Sequence, residues 1–469
     1  MNRAERDKIQ SKTRQRVRLG AGAGYWGAEL GAAIKLANEG AIEYLCFDQL
    51  AELTMSLLER QRLKNPEHGY IPDIVSQIEQ LLPVMRETGV KIITNGGGTN
   101  CAAAMDKTLA VAARQGYGDL VVGAVSGDNV TAKLDELMRE GWKFTNLDTG
   151  EDDLSEIRDS IVSAHAYIGA DGIVEALRQD ADVVIAGRVS DNALYVGPLM
   201  HEFGWNFEPA YVDRIGAAIA LGHIVECAEL VCGGMSNLWR VSREPWKIGF
   251  PIAEVSPDGS AIVIKLPGTG GILNEWTVKE HLVYEVHDPS RYVMPDGIAD
   301  LTALRIEDLG GNRVHISGGR GLPRPDTLKV QIGYRDGFAA EVIYLIGRPN
   351  VLEKAARAEE IYRELLARSG IVPLDLRFDR IGVDAISGGM FDDPPESDVR
   401  ECGFRIALRT RTLEEATIAR AHFLRVTLYG PVGVGWGAPP AVRPVISLWP
   451  TLIPRDAVDI SVDVRKASA

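Results

Sequence analysis

His223 and Glu226 stand three residues apart in the run GHIVECAELVCGG, inside a segment, Ala210 to Val231, whose pattern predicts a helix closed by Gly233 and Gly234. On a helix that spacing brings an imidazole and a carboxyl onto one face. Such a pair can move protons, because the carboxyl orients a ring that titrates near neutral pH. Two ligands for a metal are the weaker reading, since no third ligand stands nearby; no metal site is expected. A buried pair with a purely structural role is the bland alternative.

Glycine-rich turns supply the second kind of chemistry. Gly22, Gly24 and Gly27 in VRLGAGAGYWG satisfy G-x-G-x-x-G, with Asp48 21 residues beyond the last glycine, where an acid can meet a ribose hydroxyl. Tyr25 and Trp26 fill the variable positions and would crowd a pyrophosphate, so NAD(P) is the lesser expectation. Similar clusters recur: Asn95, Gly96, Gly97, Gly98 and Asn100 in NGGGTN, Asp128 in SGDN, and Arg188, Ser190 and Asp191 in GRVSDN. Each follows an apolar run that reads as a strand. In a parallel sheet those ends share one edge, and ligands bind in the crevice there. Lys265 to Gly271, KLPGTGG, is a further turn in which Gly268, Thr269 and Gly270 can present backbone N–H groups to an anion.

The elements that must position these residues change rhythm along the chain. Strands are predicted at 16–20, 42–47, 90–94, 119–125 and 181–186, with helices at 28–38, 74–87, 105–115 and 172–178 between them. That alternation predicts an N-terminal, mostly parallel, doubly wound sheet of Rossmann-like α/β type over residues 16–245. From residue 246 to 469 hairpin signals take over: SPDGSA, LGGNRV and YRDGFA. The later order β-α-β-β-α-β predicts an α+β region of ferredoxin-like, split β-α-β pattern. Residues 1–15 are expected to form a flexible leader.

The totals bound the function class. The chain has 469 residues and a net charge of −14, which disfavours nucleic acid and anionic membranes as partners. Five cysteines without a C-x-x-C argue against a disulfide framework and for a reducing, cytoplasmic setting. The basic first residues lack an apolar core, so no signal peptide is read there. A homo-oligomer is expected on base rates.

Taken in order, GAGAGYWG, GVKIITNGGGTN, GDNV, IAGRVSDNALYVGPLMHEFGW, GHIVECAELVCGG, LPGTGG and VRPVISLWPTLIPRDAV resemble the acyclic terpene utilisation (AtuA-like) family over about residues 16 to 457. Two departures stand at the expected site. Cys101 replaces the family's usual proline, and Glu226-Cys227-Ala228-Glu229 with Cys232 replaces its E-C-G-x-Q-x-T-G-G. The resemblance implies catabolism of branched isoprenoid acids, often as coenzyme A thioesters, and coenzyme A is therefore expected only as part of the substrate.

The residues and the resemblance together lead to an expected enzyme with lyase or hydratase-type acid–base chemistry. His223, Glu226, Asp191 and Asp128 are its expected catalytic groups. Arg188 is expected to bind the substrate's anion, Asp48, Asn95 and Asn100 to orient it, and the three glycine turns to donate N–H groups. An NAD(P)-dependent oxidoreductase and a non-catalytic small-molecule binder are the alternatives.

Overall fold

The computed structural model describes residues 15–468. The leader expected over residues 1–15 therefore lies, but for its last residue, outside the described residues. The chain folds as two units. One comprises the chain up to Glu156, Val162–Ile332 and Leu448 onward; the other comprises Ile157–Ile161 and Gly333–Ser447.

The first unit carries β1 (Val17–Ala23), α1 (Leu30–Glu39), β2 (Tyr44–Phe47), α2 (Glu52–Lys64), α3 (Asp73–Thr88), β3 (Lys91–Thr94), α4 (Cys101–Arg114), β4 (Val121–Ser126), α5 (Leu134–Arg139) and β5 (Ile161–Ala166, from Val162 on). It continues with α6 (Asp171–Arg178), β6 (Val183–Ala186), α7 (Ala193–Phe203), α8 (Val212–Glu226), β7 (Pro251–Val255), β8 (Ala261–Lys265), α9 (Glu275–Leu282), β9 (Tyr292–Met294), β10 (Gly297–Asp300), β11 (Arg305–Asp308), β12 (Arg313–Ser317) and β13 (Arg320–Leu322). Ten strands form one sheet in the order β11-β12-β8-β7-β1-β2-β3-β6-β4-β19, where β19 is Ser461–Lys466. The centre, β1-β2-β3-β6-β4, is parallel, and β2 and β6 are buried at every residue, as strands covered on both faces must be.

The class is thus mixed α/β, and two expectations need correction. A Rossmann-like sheet reverses its strand order beside the first strand, opening a crevice at the glycine turn. Here β1 has parallel β2 on one side and antiparallel β7 on the other. The order turns back only where β6 inserts between β3 and β4. The hairpins β7–β8 and β11–β12, expected in a second domain from residue 246, instead extend the first unit's sheet and pair the open edge of β1.

Two helices matter most for the site. Helix α8 is buried at every residue from Ile215 to Glu226, which an amphipathic surface helix could not be. A Cβ at Gly222 would lie 2.8 Å from the Asn192 side chain, so α8 sits flush against the turn that follows β6. Helix α2 is built the other way round. It buries Thr54, Met55, Ser56 and Leu58 and leaves Leu53, Leu57 and Leu63 exposed. Its apolar anchorage is a small cluster of its own: Leu50, Met55, Leu58 and Ile71.

The second unit holds the rest of β14 (Thr327–Gly347), α10 (Val351–Arg368), β15 (Asp375–Ile381), β16 (Glu401–Thr410), α11 (Leu413–Tyr429), β17 (Val434–Trp436) and the start of β18 (Arg443–Pro454). Its strands lie in the order β15-β16-β14-β17, and the chain order β14-α10-β15-β16-α11-β17 is β-α-β-β-α-β. Tyr344, Tyr362, Phe404 and Phe423 fill the core. The hairpin expected at YRDGFA is absent: β14 runs straight through it, with Gly337 at φ +79° taking up the irregularity within the strand.

Candidate functional site

A cavity of about 490 Å³ opens in the first unit, within the range of small-molecule sites. Its polar wall comes from three places. Ser190, Asp191 and Asn192 follow β6; His223 and Glu226 end α8; Tyr292 begins β9. Glu52, Tyr167, Glu285 and Lys329 line it as well, while Leu147, Met294, Pro295, Leu328 and Leu452 make the facing wall apolar.

His223 Nδ1 lies 3.2 Å from Glu226 Oε1 and 3.4 Å from the Tyr292 hydroxyl. The His223 ring stacks on His281 of α9 at 5.4 Å between centroids. Burial lowers the His223 imidazole, with the Leu282 backbone opposing. Burial and then His223 hold His281 down at about 4. Both rings are therefore neutral at pH 7. Burial pushes the Glu226 carboxyl well up, and Asp191 and Glu285 push it further.

Arg188 anchors the other side. Its guanidinium is buried, donates to Asp191, to Leu50 O at 3.0 Å and to Val189 O at 2.8 Å, and stacks over the Tyr167 ring at 4.4 Å. Burial works against its charge, but Asp191, Tyr167 and Asp48 outweigh that and raise it. Asp48 accepts from Asn95 Nδ2 at 2.6 Å, and Asn95 Oδ1 accepts from the Gln49 amide at 2.8 Å. Burial raises the Asp48 carboxyl well above the ordinary range, helped by Asp191 and Glu226 and opposed by Arg188. Burial raises Asp191 too, despite its pairing with Arg188. Three carboxyl groups thus share one guanidinium, and each holds its proton more tightly than a free carboxyl does.

Of the expected site residues, the structure brings His223, Glu226 and Asp191 to the cavity and sets Asp48, Asn95 and Arg188 behind them. Arg188 is buried behind the cavity wall, and three of its five N–H donors go to Asp191 and two carbonyls. The ammonium at the cavity is Lys329, 5.0 Å from the Tyr167 ring centroid. Asp128 lies elsewhere: its Oδ2 is 2.7 Å from His165 Nδ1, and neither residue lines the cavity.

The glycine turns serve packing rather than anions. A Cβ at Gly24 would lie 2.6 Å from the Cys227 backbone, and one at Gly22 would lie 2.7 Å from the Phe47 ring. The end of β1 is therefore packed closely against Cys227, just past the C-terminal end of α8. The amides of Gly96, Gly97 and Gly98 donate to Thr94 Oγ1, Ala186 O and Asn95 O. Asn100 accepts from the Ala103 amide at the start of α4 and donates to Pro66 O and His68 O. The Gly268–Gly270 turn wraps Lys265, whose ammonium donates to Thr269 O, Thr269 Oγ1 and Gly270 O; Thr269 Oγ1 donates to Leu266 O and the Gly270 amide to Lys247 O.

Several polar atoms at the cavity have no protein partner: Ser190 Oγ and both side-chain amide atoms of Asn192 are buried and unpaired. Buried groups of this kind normally find partners, so they mark where a ligand's polar group fits. Tyr292, Lys329, Asn192 and His165 escaped the sequence reading. Only His165 carried a usable signal: alternation along Ser163, His165 and Tyr167 puts three polar side chains on one strand face. Among the described residues, no group of three or more His, Cys, Asp or Glu is placed to hold a metal ion, and no helix is long and apolar enough to cross a membrane.

A family model described as acyclic terpene utilisation family protein AtuA matches residues 17–464. Neither the curated proteins nor the solved structures give a match. With the match running from β1 into β19, and so across every residue of the cavity, the chain belongs to the acyclic terpene utilisation family.

Proposed function

We propose that the cavity is the active site of a cytoplasmic catabolic enzyme. It performs lyase or hydratase-type acid–base chemistry on a small branched, isoprenoid-like carboxylate or its coenzyme A thioester. One observation carries the reading: at the cavity His223 Nδ1 and Glu226 Oε1 lie 3.2 Å apart, and burial makes the carboxyl hold its proton more tightly and the imidazole less tightly than usual. Groups whose environments drive their pKa values in opposite directions are suited to complementary proton transfers.

In the hydration direction Glu226 gives its proton to one carbon of a substrate double bond. Water adds to the other carbon, and His223 Nδ1 takes the surplus proton. The imidazolium then returns a proton to the Glu226 carboxylate, and the pair is reset. Ser190 and Asn192 supply donors for the substrate's carbonyl oxygen, where charge develops. Lys329 faces its carboxylate or phosphate, and the apolar wall takes the branched chain.

The test is turnover of a panel of branched, unsaturated and hydroxylated acids and their coenzyme A thioesters, with products followed by mass spectrometry. His223→Ala and Glu226→Gln should each lower turnover by roughly 10²–10⁴-fold while leaving substrate binding near normal. Near-normal turnover in both variants overturns the assignment. Binding by the wild-type protein without turnover of any panel member favours a binding protein instead.

A further inference from the structure

Met235, Trp239, Val241, Trp246, Trp276 and Val283 are each more than half exposed, and all belong to the first unit. Hydrogen bonds join the segments that carry them. The Glu280 carboxylate on α9 accepts from Ser236 Oγ at 2.5 Å and from the Asn237 amide and side chain at 3.1 and 3.0 Å. Trp276 lies four residues before Glu280 and Val283 three after it, so both share its helix face. Trp239 sits in the turn closed by its own amide to Ser236 O at 3.2 Å. Trp246 extends the patch along the segment held by the bridges Arg243 to Gly271 and Ile248 to Gly270.

The size is that of an interface. With ~150–250 Å² for a whole aromatic side chain, the six residues expose on the order of 700 Å². That exceeds the largest apolar patch of an ordinary monomer, ~300–600 Å², and approaches the ~800 Å² per partner of a stable complex. Aromatic residues and Arg are the types enriched in such interfaces.

Charge identifies the occupant. The chain carries −14, so copies of it repel over most of their surface. In the two stretches that carry these residues, 235–247 and 275–283, the charges nearly cancel: Arg240, Arg243, Lys247 and Lys279 stand with Glu244, Glu275 and Glu280. Lys247–Glu244 and Lys279–Glu275 are already paired at 2.6 and 3.4 Å. An anionic membrane would require a clear basic excess. A second copy requires a self-complementary face with both signs of charge, which this one has. Arg240, at 4.6 Å from the Trp239 ring, offers a guanidinium beside an aromatic face on each copy.

We propose that this face joins two copies of the chain about a two-fold axis. Pairing would clamp α9, whose opposite side stacks His281 on His223. The test needs no substrate, so its outcome is independent of the proposed reaction. Sedimentation velocity of the wild-type protein at tens of micromolar, a concentration of ordinary assembly assays, should give twice the 51.0 kDa chain mass. The double variant Trp239→Glu/Trp276→Glu should sediment as the monomer with an unchanged far-ultraviolet circular dichroism spectrum. Leu63→Glu, on the exposed side of α2, should remain a dimer. Acrylamide quenching of the wild-type tryptophans should rise on dilution, a reading that requires no variant. A monomeric wild-type protein, a dimer that survives the double substitution, or monomers that float with anionic vesicles would each overturn the proposal.

Discussion

The two units handle clustered charge in opposite ways. On the sheet of the second unit four carboxylates are held by three guanidinium groups. Arg405 binds Glu341 and Asp379, both at 2.8 Å; Arg377 binds Asp379 at 2.6 Å; Arg409 binds Asp375 at 2.6 Å as well as Asp336. Burial would raise the Asp379 carboxyl, but the donors of Arg377 and Arg405 outweigh it and hold it low. In the first unit, Asp48, Asp191 and Glu226 crowd one Arg188, and all three are pushed up. Where cations match carboxylates, the network is a scaffold. Where cations are short, the protons become movable, and movable protons are what a catalytic site needs.

Removing Arg188 should break this contrast most forcefully. Arg188→Met leaves Asp191 and Asp48 buried without a counter-charge and should cost about 3–5 kcal/mol in urea unfolding. Arg188→Met/Asp191→Leu should recover part of that loss, because no unpaired charge replaces the pair.

His281 gives the next largest effect. Its ring is held at about 4 in the folded chain, against about 6.5 when unfolded. Between those values the unfolded chain takes up a proton that the folded one refuses. Stability should therefore fall as pH drops from about 6.5 toward 4, by up to roughly 3 kcal/mol from this ring. His281→Asn should flatten that part of the stability–pH curve. Asp48 and Glu226 act in the opposite sense, since raised folded carboxyls cost stability as pH rises through their range.

Gly24→Ala tests backbone fit at the same site. Its methyl group meets the Cys227 backbone and should cost about 1–3 kcal/mol, with NAD(H) giving no thermal shift in either protein. The smallest effect belongs to the second unit. Arg405→Met removes a partly exposed pair of bridges and should change unfolding free energy by less than about 1 kcal/mol. A loss near that of Arg188→Met would erase the distinction between the two regions.

Much of the parallel centre was legible because its strands are short apolar runs bounded by glycine, asparagine and aspartate. The same polar strand ends pointed to Asp48, Asn95, Arg188 and Asp191, and helix spacing pointed to His223 with Glu226. What could not be read was the use of each polar group. The Gly97 amide looks available until Ala186 O, 89 positions away in the chain, takes it. Arg188 looks like an anion clamp until the Leu50 carbonyl and Asp191 take its donors. Tyr292 and Lys329 lie in segments without a motif, and only the folding of β9 and β14 beside the turn after β6 brings them to the cavity. The hairpins after residue 246 misled for a related reason: local pairing is visible in sequence, but the sheet a hairpin joins is set by which edge stands open.

Helix α2 has a consequence for how the cavity is reached. It contributes Glu52 to the wall, turns Ser56 inward to Ser163 at 3.5 Å, and packs its own Met55 and Leu58 with Leu50 and Ile71 in one small cluster. Leu53, Leu57 and Leu63 on its outer side stay partly or mostly exposed. Elements with so little apolar anchorage open at a small fraction of the global unfolding free energy. The amides of α2 should exchange with solvent long before those of the fully buried α8, and a bound substrate should slow them first.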